Sequence, residues 1–331
     1  MDLSLFFGFV YDIIVKKEPR ITSAKSEEPK MKRKTALIGL GTIAATYKKG
    51  IESSLSIELV AVCDKDTGAA SRNCYSTLPF FSDYKEMIER LDVERVIIST
   101  PPDTHCEIAE YCLSHGVGVM IEKPATLSLG HFDHLYSLAQ KNTLPFKTLF
   151  HWQGGDEVIE LERVIDTKSI RQVTTKIYDP YSEQGTVIKE NKRALGGAWI
   201  DSGVNALSMI GKWIELSECR IIECSSQKCK ESSLPIYAEV KLDAGGVEIC
   251  IEIDWRKDRN KKESYISLSE ASVYIDHSQQ SFTIGEKNRE CARTSRLDAH
   301  YINVFSESPD IDNSAFSRKI HKLLLEVNER L

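Results

Sequence analysis

Three short stretches of this chain carry side chains able to do chemistry. Lys123 stands in Glu122-Lys123-Pro124, directly after the apolar run Gly118-Val119-Met120-Ile121. A lysine at the end of a buried strand and pinned by proline is badly placed as a solvated charge. It can donate to a substrate hydroxyl or carry a proton. The second stretch is Gly196-Gly197-Ala198-Trp199-Ile200-Asp201-Ser202-Gly203-Val204-Asn205-Ala206-Leu207-Ser208. On a helix, Asp201, Asn205 and Ser208 fall at i, i+4 and i+7 and share one polar face, while Ile200, Val204, Leu207 and Trp213 mark an apolar side. A carboxylate and an amide on the buried side cost free energy unless paired, and a bound polyol or Lys123 would pair with them. The competing reading is a solvated helix face. The third stretch is Gly39-Leu40-Gly41-Thr42-Ile43-Ala44, a Gly-x-Gly-x-x-Ala variant of the dinucleotide fingerprint. Gly39 permits the tight turn, Gly41 admits a pyrophosphate without an intervening Cβ, and a helix from about Thr42 presents its N-terminal N–H groups.

These residues require a particular frame. The run Ala36 to Ile38 reads as a buried strand, and Glu58 to Asp64 as a second one ending in an acid. Asp64 lies where the fingerprint expects a carboxylate for the ribose hydroxyls, about twenty residues past the glycines. That favours NAD, whereas Lys65 beside it can accept a 2′-phosphate and keeps NADP open. Val96 to Ser99 is another buried strand, and the prolines of Thr100-Pro101-Pro102 take the chain out of the sheet at its carboxyl edge. Thr104 with Glu107 predicts a capping box for a helix over His105 to Ser114. Further helices are expected over Ser82 to Leu91 and Ser128 to Lys141, and a further strand over Pro145 to Trp152. Strand–helix alternation therefore bounds a doubly wound α/β domain of the Rossmann type at residues 31–152.

From 153 to 331 the pattern changes. A helix is expected over Asp156 to Asp166 and strands over Ile170 to Tyr178, Ile236 to Leu242, Val247 to Trp255, Tyr265 to Leu268 and Val273 to Ile275. Their alternation and short turns such as Asp243-Ala244-Gly245-Gly246 predict an α+β domain with a largely antiparallel open sheet, closed by a surface helix over Phe316 to Leu331. Residues 1–30 read as an extension dispensable to the fold. Leu3 to Val15 is too short to span a bilayer and is interrupted by Asp12, so no membrane span is expected. The net charge of −6 argues against a nucleic-acid partner. Nine cysteines without a C-x-x-C pair predict no metal site and point to a reducing, cytoplasmic setting.

Taken together, these motifs resemble the Gfo/Idh/MocA oxidoreductases. The resemblance rests on Gly39-Leu-Gly41-Thr-Ile-Ala44, on Glu122-Lys123-Pro124 and on Gly196-Gly-Ala-Trp-Ile-Asp201-Ser-Gly203-Val-Asn205, and it runs from Met31 to the C-terminus. It implies a Rossmann domain followed by a domain whose open sheet covers the nicotinamide and mediates homo-oligomerisation. It also implies an NAD- or NADP-dependent oxidation of a sugar or cyclitol hydroxyl. The cofactor residues it implies are Gly39, Gly41, Thr42, Ile43, Asp64, Lys65, Thr100, Pro101, Pro102, His105, Glu122 and Lys123. Most members carry His where this chain has Asn205. The Asp-x-Gly-x-Asn-Ala-Leu-Ser form is similar to bacterial L-arabinose and D-galactose 1-dehydrogenases, which implies oxidation of an aldopyranose at C1 to the lactone. Asn cannot accept a proton, so Asp201 takes the part of base, Asn205 holds the hydroxyl, and Lys123 hydrogen-bonds the same oxygen. The sugar pocket implied includes Trp152, Gln153, Tyr178 and Asn205. Those dehydrogenases carry Trp-His after the last Rossmann strand, whereas here Trp152 is followed by Gln153 and preceded by His151. The alternative is a non-catalytic sensor of the same fold that binds a dinucleotide or sugar.

Overall fold

The structure is a computed structural model that describes residues 32–69, 74–307 and 310–331. The extension read at 1–30 lies outside the described residues. Two compact units are present. One joins the described residues up to Gly154 with Leu297–Leu325, and the other comprises Gly155–Arg296 with Glu326–Leu331. The segment Leu297–Leu325, expected in the second domain, thus packs with the first.

The first unit is built on a parallel sheet of β1 (Arg33–Ile38), β2 (Ile57–Cys63), β3 (Phe80–Phe81), β4 (Arg95–Ile98), β5 (Gly118–Glu122) and β6 (Phe146–Leu149), in the order β3-β2-β1-β4-β5-β6. Its central strands are near-continuous apolar runs because both faces are covered. Alternate residues serve opposite cores. Ile38, Val96, Ile98 and Ile121 meet Ile108, Leu113, Phe132 and Leu135 on one face. Leu37, Val62, Ile97 and Met120 meet Ala44, Tyr47, Ile51, Tyr301 and Phe305 on the other. The helices that cover the sheet are α1 (Ala44–Ser53), α2 (Tyr84–Arg90), which adds Met87 and Ile88 to the first of these cores, α3 (His105–Ser114) and α4 (Leu129–Lys141). The C-terminal segment adds α7 (Arg296–Ser306) and α8 (Ser314–Asn328). Ile97 and Ile98 are fully buried, and truncating either to Ala costs about 2–5 kcal/mol.

The segment after α7 closes the sheet at β6. Asn313 accepts the Thr148 amide and donates to the Thr148 carbonyl, both at 2.8 Å, so one side chain completes the ladder of an edge strand. Three local expectations are corrected. The expected strand to Trp152 stops at Leu149, and His151–Gly154 forms a 3₁₀ turn. Helix α1 starts at Ala44, not Thr42. The Thr104 hydroxyl caps nothing, because it is spent on Thr100 Oγ1 and the Pro101 carbonyl, both at 2.8 Å, in a 3₁₀ turn over Pro102–Thr104.

The second unit carries an eight-stranded sheet in the order β10-β11-β12-β7-β13-β14-β15-β16. Its strands are β7 (Ile170–Tyr178), β10 (Arg220–Lys228), β11 (Pro235–Ala244), β12 (Val247–Asp254), β13 (Lys261–Leu268), β14 (Ser272–Asp276), β15 (Ser281–Ile284) and β16 (Lys287–Glu290). Only β12 and β7 pair in parallel; the other neighbours are antiparallel. A separate hairpin joins β8 (Ser182–Glu183) to β9 (Val187–Ile188). Helix α5 (Asp156–Val164) is tied to this sheet by a buried chain. Glu157 Oε1 lies 2.8 Å from His277 Nδ1, His277 Nε2 lies 2.9 Å from Ser264 Oγ, and Ser264 Oγ lies 2.9 Å from Thr175 Oγ1. Ser264 is 0% exposed, so this serine–histidine–glutamate order is a structural tie out of reach of substrate.

Candidate functional site

A cavity of about 620 Å³ opens at the carboxyl edge of the parallel sheet. Gly39 and Gly41 line it from the β1 turn, Asp64 and Lys65 from the end of β2, and Thr100 and Pro101 from the end of β4. Gly39 has φ +94°, and a Cβ there would lie 2.8 Å from the Ser99 carbonyl carbon and the Thr100 nitrogen. It is glycine because the β1 and β4 exits touch. Gly41 differs, since a Cβ there would meet nothing within 4 Å. The protein's own packing does not demand glycine at 41, whereas a ligand backbone lying close to the loop would. Asp64 accepts the Leu40 amide at 2.6 Å through Oδ2 and the Asp66 amide at 2.8 Å through Oδ1. Its carboxylate therefore holds the glycine loop while it faces the cavity. Thr42 and Ile43 sit in the turn before α1 and do not line the cavity.

One strand over, Lys123 follows β5 on a segment whose main chain is held from several sides. Glu122 is 6% exposed, and its Oε1 accepts the hydroxyls of Tyr47 at 2.7 Å and Tyr301 at 2.6 Å. Its Oε2 accepts the Lys123 amide at 3.0 Å. Burial pushes the Glu122 carboxyl up, against the pull of these donors and of the Lys123 charge. The His105 ring nitrogens face two carbonyls, Pro124 at 3.0 Å and Thr100 at 2.8 Å. His105 and Glu122 are thus internal supports, and Pro102, in the adjoining 3₁₀ turn, is likewise off the cavity wall. Lys123 itself is half-buried.

In the second unit, Asp201 lies on a π-helical turn, Trp199–Gly203, that runs into α6 (Val204–Ile210). The expected face at i, i+4, i+7 on one regular helix is corrected by this turn. A π turn leaves a carbonyl without its usual partner, and such turns concentrate at functional sites. Here Asn205 Nδ2 donates to the Asp201 carbonyl at 3.2 Å. Asn205 is 7% exposed and its Oδ1 has no hydrogen-bond partner, which leaves a buried acceptor available to a donor group. Ser208 is fully buried and donates to the Asn205 carbonyl at 3.0 Å, so no solvated polar face exists. Around Asp201, Tyr181 and Lys262 each stand within electrostatic reach of Asp179, Asp201 and Arg296. Lys262 Nζ donates to Asp179 Oδ1 at 2.7 Å, and burial lowers its pKa. None of these four was singled out from the sequence, where a lone Lys or Tyr in an alternating strand carries no signal.

Residues 33–149 match the model of an oxidoreductase family with an NAD-binding Rossmann fold, Gfo/Idh/MocA. This Rossmann domain is similar to the NAD-binding domain of the Gfo/Idh/MocA oxidoreductases. The chain is 27% identical over 147 residues to inositol 2-dehydrogenase of Salmonella typhimurium, covering 43% of this chain and 44% of that protein. It thus spans less than half the length of that relative. It is 26% identical over 226 residues to dTDP-3,4-didehydro-2,6-dideoxy-alpha-D-glucose 3-reductase of Saccharopolyspora spinosa, covering 65% of this chain and 66% of that protein. Among solved structures, UDP-N-acetylglucosamine 3-dehydrogenase GnnA of Acidithiobacillus ferrooxidans shares the fold with TM-score 0.75 at 17% identity, over 91% of this chain and 98% of that one.

The cavity fits a dinucleotide through the space at Gly41, the Asp64 carboxylate and the Thr100–Pro101 wall. Ser82, Asp83, Tyr84, Lys85, Glu107 and Ile108 also line it. These escaped the sequence reading, although Ser82 and Asp83 stand where a short strand gives way to a helix capped by Asp83, whose side chain accepts the Lys85 amide. Of the expected sugar-pocket residues, Trp152 is buried and Gln153 half-buried in the 3₁₀ turn after β6. Tyr178 ends β7 in the other unit, where its hydroxyl donates to Glu252 at 3.1 Å. No described helix is long and apolar enough to cross a membrane.

Proposed function

We propose that this Gfo/Idh/MocA protein is an NAD(P)-dependent oxidoreductase of a sugar ring hydroxyl, acting at C1 of an aldopyranose to give the lactone. The observation that carries it is the succession of Asp201 on the π turn and Asn205 at the start of α6, whose buried Oδ1 accepts no hydrogen bond. When bound, the nicotinamide supplies a hydride acceptor at C4. Asp201 takes the proton of the anomeric hydroxyl as the C1 hydrogen departs with its electron pair. Asn205 Oδ1, lacking a donor in the fold, orients a substrate hydroxyl. The Lys123 ammonium hydrogen-bonds the reacting oxygen and stabilises its developing negative charge. Gly41 admits the pyrophosphate, and Asp64 accepts from the ribose hydroxyls with the lone pairs left beside Leu40 and Asp66. A homo-oligomer through the open sheet of the second unit accompanies this reading.

The test is NADH and NADPH formation against a panel of aldoses and cyclitols, with Lys123→Ala and Asp201→Ala in parallel. Each variant should lose turnover by about 10²- to 10⁴-fold, while NAD binding survives. A folded wild-type protein that binds NAD and turns over nothing would favour the sensor. Turnover of cyclitols alone would move the reaction away from C1.

A further inference from the structure

The main chain at residues 123–125 is gripped group by group by buried side chains, one of them from 196 positions away. The Lys123 amide donates to Glu122 Oε2 at 3.0 Å. The Pro124 carbonyl faces His105 Nδ1 at 3.0 Å. The Ala125 amide donates to His321 Nε2 at 2.8 Å. His321 comes from α8, is 0% exposed, and lies flat on Phe132 with centroids 4.9 Å apart and planes at 30°. Its Nδ1 lies 2.7 Å from the Ser317 carbonyl. Since Nε2 must accept from Ala125, the ring proton sits on Nδ1 and is donated to Ser317. The ring is therefore neutral and in one tautomer, and a second proton at Nε2 would set two donors head to head.

We propose that His321, through the Ala125 amide, and His105, through the Pro124 carbonyl, are positioning residues that fix the backbone from which Lys123 is displayed, and that this clamp holds only while His321 is neutral. The proposal rests on the reading of Lys123 as a group that meets substrate. The cavity wall includes neither histidine nor Lys123, and both histidines meet main-chain groups beside Lys123, so each acts through that segment and not on a ligand of the cavity. His105 is the titratable group facing His321, from α3, and a charge on either ring disfavours one on the other. Asp103, in the turn before α3, is the charged group that acts on His105. Burial pulls His321 down to about 4. The clamp thus stays closed through neutral pH and opens on acidification, independently of whatever group titrates on substrate.

The experiment uses the full chain with His321→Leu, which removes the acceptor at similar volume, and His321→Gln, whose Oε1 can accept the Ala125 amide without titrating. Three readouts are taken: amide exchange at Ala125, labelling of Lys123 by trinitrobenzenesulfonate read by mass spectrometry, and kcat and KM for NAD-linked turnover, compared from pH 8 down through the His321 pKa of about 4 to pH 3. His321→Leu should raise Ala125 exchange by about 10- to 100-fold, the loss of one buried hydrogen bond, and should change Lys123 labelling. It should lower kcat while leaving KM for NAD in place. His321→Gln should restore all three and hold them at acid pH where the wild type loses them. Unchanged Ala125 exchange in His321→Leu, or a His321→Gln protein with the acid profile of the wild type, overturns the clamp. If His321→Leu does not fold, the His321→Gln profile decides. If no protein turns over any sugar, the functional reading fails, while exchange and labelling still decide the clamp.

Discussion

The two glycines of the β1 turn should fail in opposite ways when each becomes alanine. At Gly39 the backbone is left-handed at φ +94°, and an added Cβ would sit 2.8 Å from the carbonyl carbon of Ser99 and the nitrogen of Thr100. Both atoms belong to the main chain, so no side chain can swing aside. The conformation costs alanine about 1–2 kcal/mol. Forcing the β4 exit away costs about 1–3 kcal/mol more, as in overpacked cores. The sum, about 2–5 kcal/mol, lowers Tm by roughly 4–20 °C at about 2–4 °C per kcal/mol for a unit of this size. Gly41→Ala meets nothing within 4 Å and should leave the Tm within a degree or two. Its methyl would stand where the pyrophosphate must approach, so NAD affinity should fall about tenfold or more, the cost of a displaced or lengthened charge-assisted hydrogen bond. Thermal unfolding of both variants, and calorimetric titration with NAD, provide the comparison. Equal destabilisation by both substitutions, or wild-type NAD affinity in Gly41→Ala, would refute the division of labour.

Acid should weaken the unit that holds the parallel sheet through His321. Its folded-state pKa of about 4 lies below the usual 6.5, so the unfolded chain binds the extra proton first. Stability is then complete above about pH 6.5 and falls as pH drops towards 4, by about 3 kcal/mol from this ring alone. Burial lowers His105 too, in the same direction. Urea unfolding at stepped pH should show that slope in the wild type and a reduced one in His321→Gln; identical slopes would count against it. Tyr301→Phe removes one of the two hydroxyls on the buried Glu122 and should destabilise by about 1–3 kcal/mol in the same denaturation assay, with far-UV circular dichroism unchanged.

Much of the parallel sheet was legible because its strands are buried on both faces, so Val96 to Ile98 and Val119 to Ile121 announce themselves as apolar runs. The edge strand β10 was not legible. Arg220–Lys228 buries none of its residues fully, and only its register against β11 makes it a strand. The cavity glycines and Asp64 were readable because their chemistry is local, a turn and a strand end. The supports behind them were not, because Glu122 meets Tyr47 across 75 positions, His105 meets Pro124 across 19 and His321 meets Ala125 across 196. The π turn at Asp201 escaped because the expected i, i+4, i+7 face presumes an unbroken helix. The capping box at Thr104 failed for a related reason, since Thr100 and Pro101 compete for the same hydroxyl.

The return of Leu297–Leu325 to the first unit bears on how the chain is made. When β6 leaves the ribosome, Glu122 still lacks the Tyr301 hydroxyl, Thr148 lacks Asn313 along its open edge, and Ala125 lacks His321. Lys147, 3% exposed in the finished fold, has yet to meet the Val304 carbonyl and Glu307. An unpaired strand edge and buried polar groups without partners are liabilities in a nascent chain. The whole of Gly155–Arg296 must be synthesised before they are relieved. The nucleotide-binding unit is therefore the first to be begun and among the last to be completed, and chaperone dependence during synthesis should centre on the β6 edge.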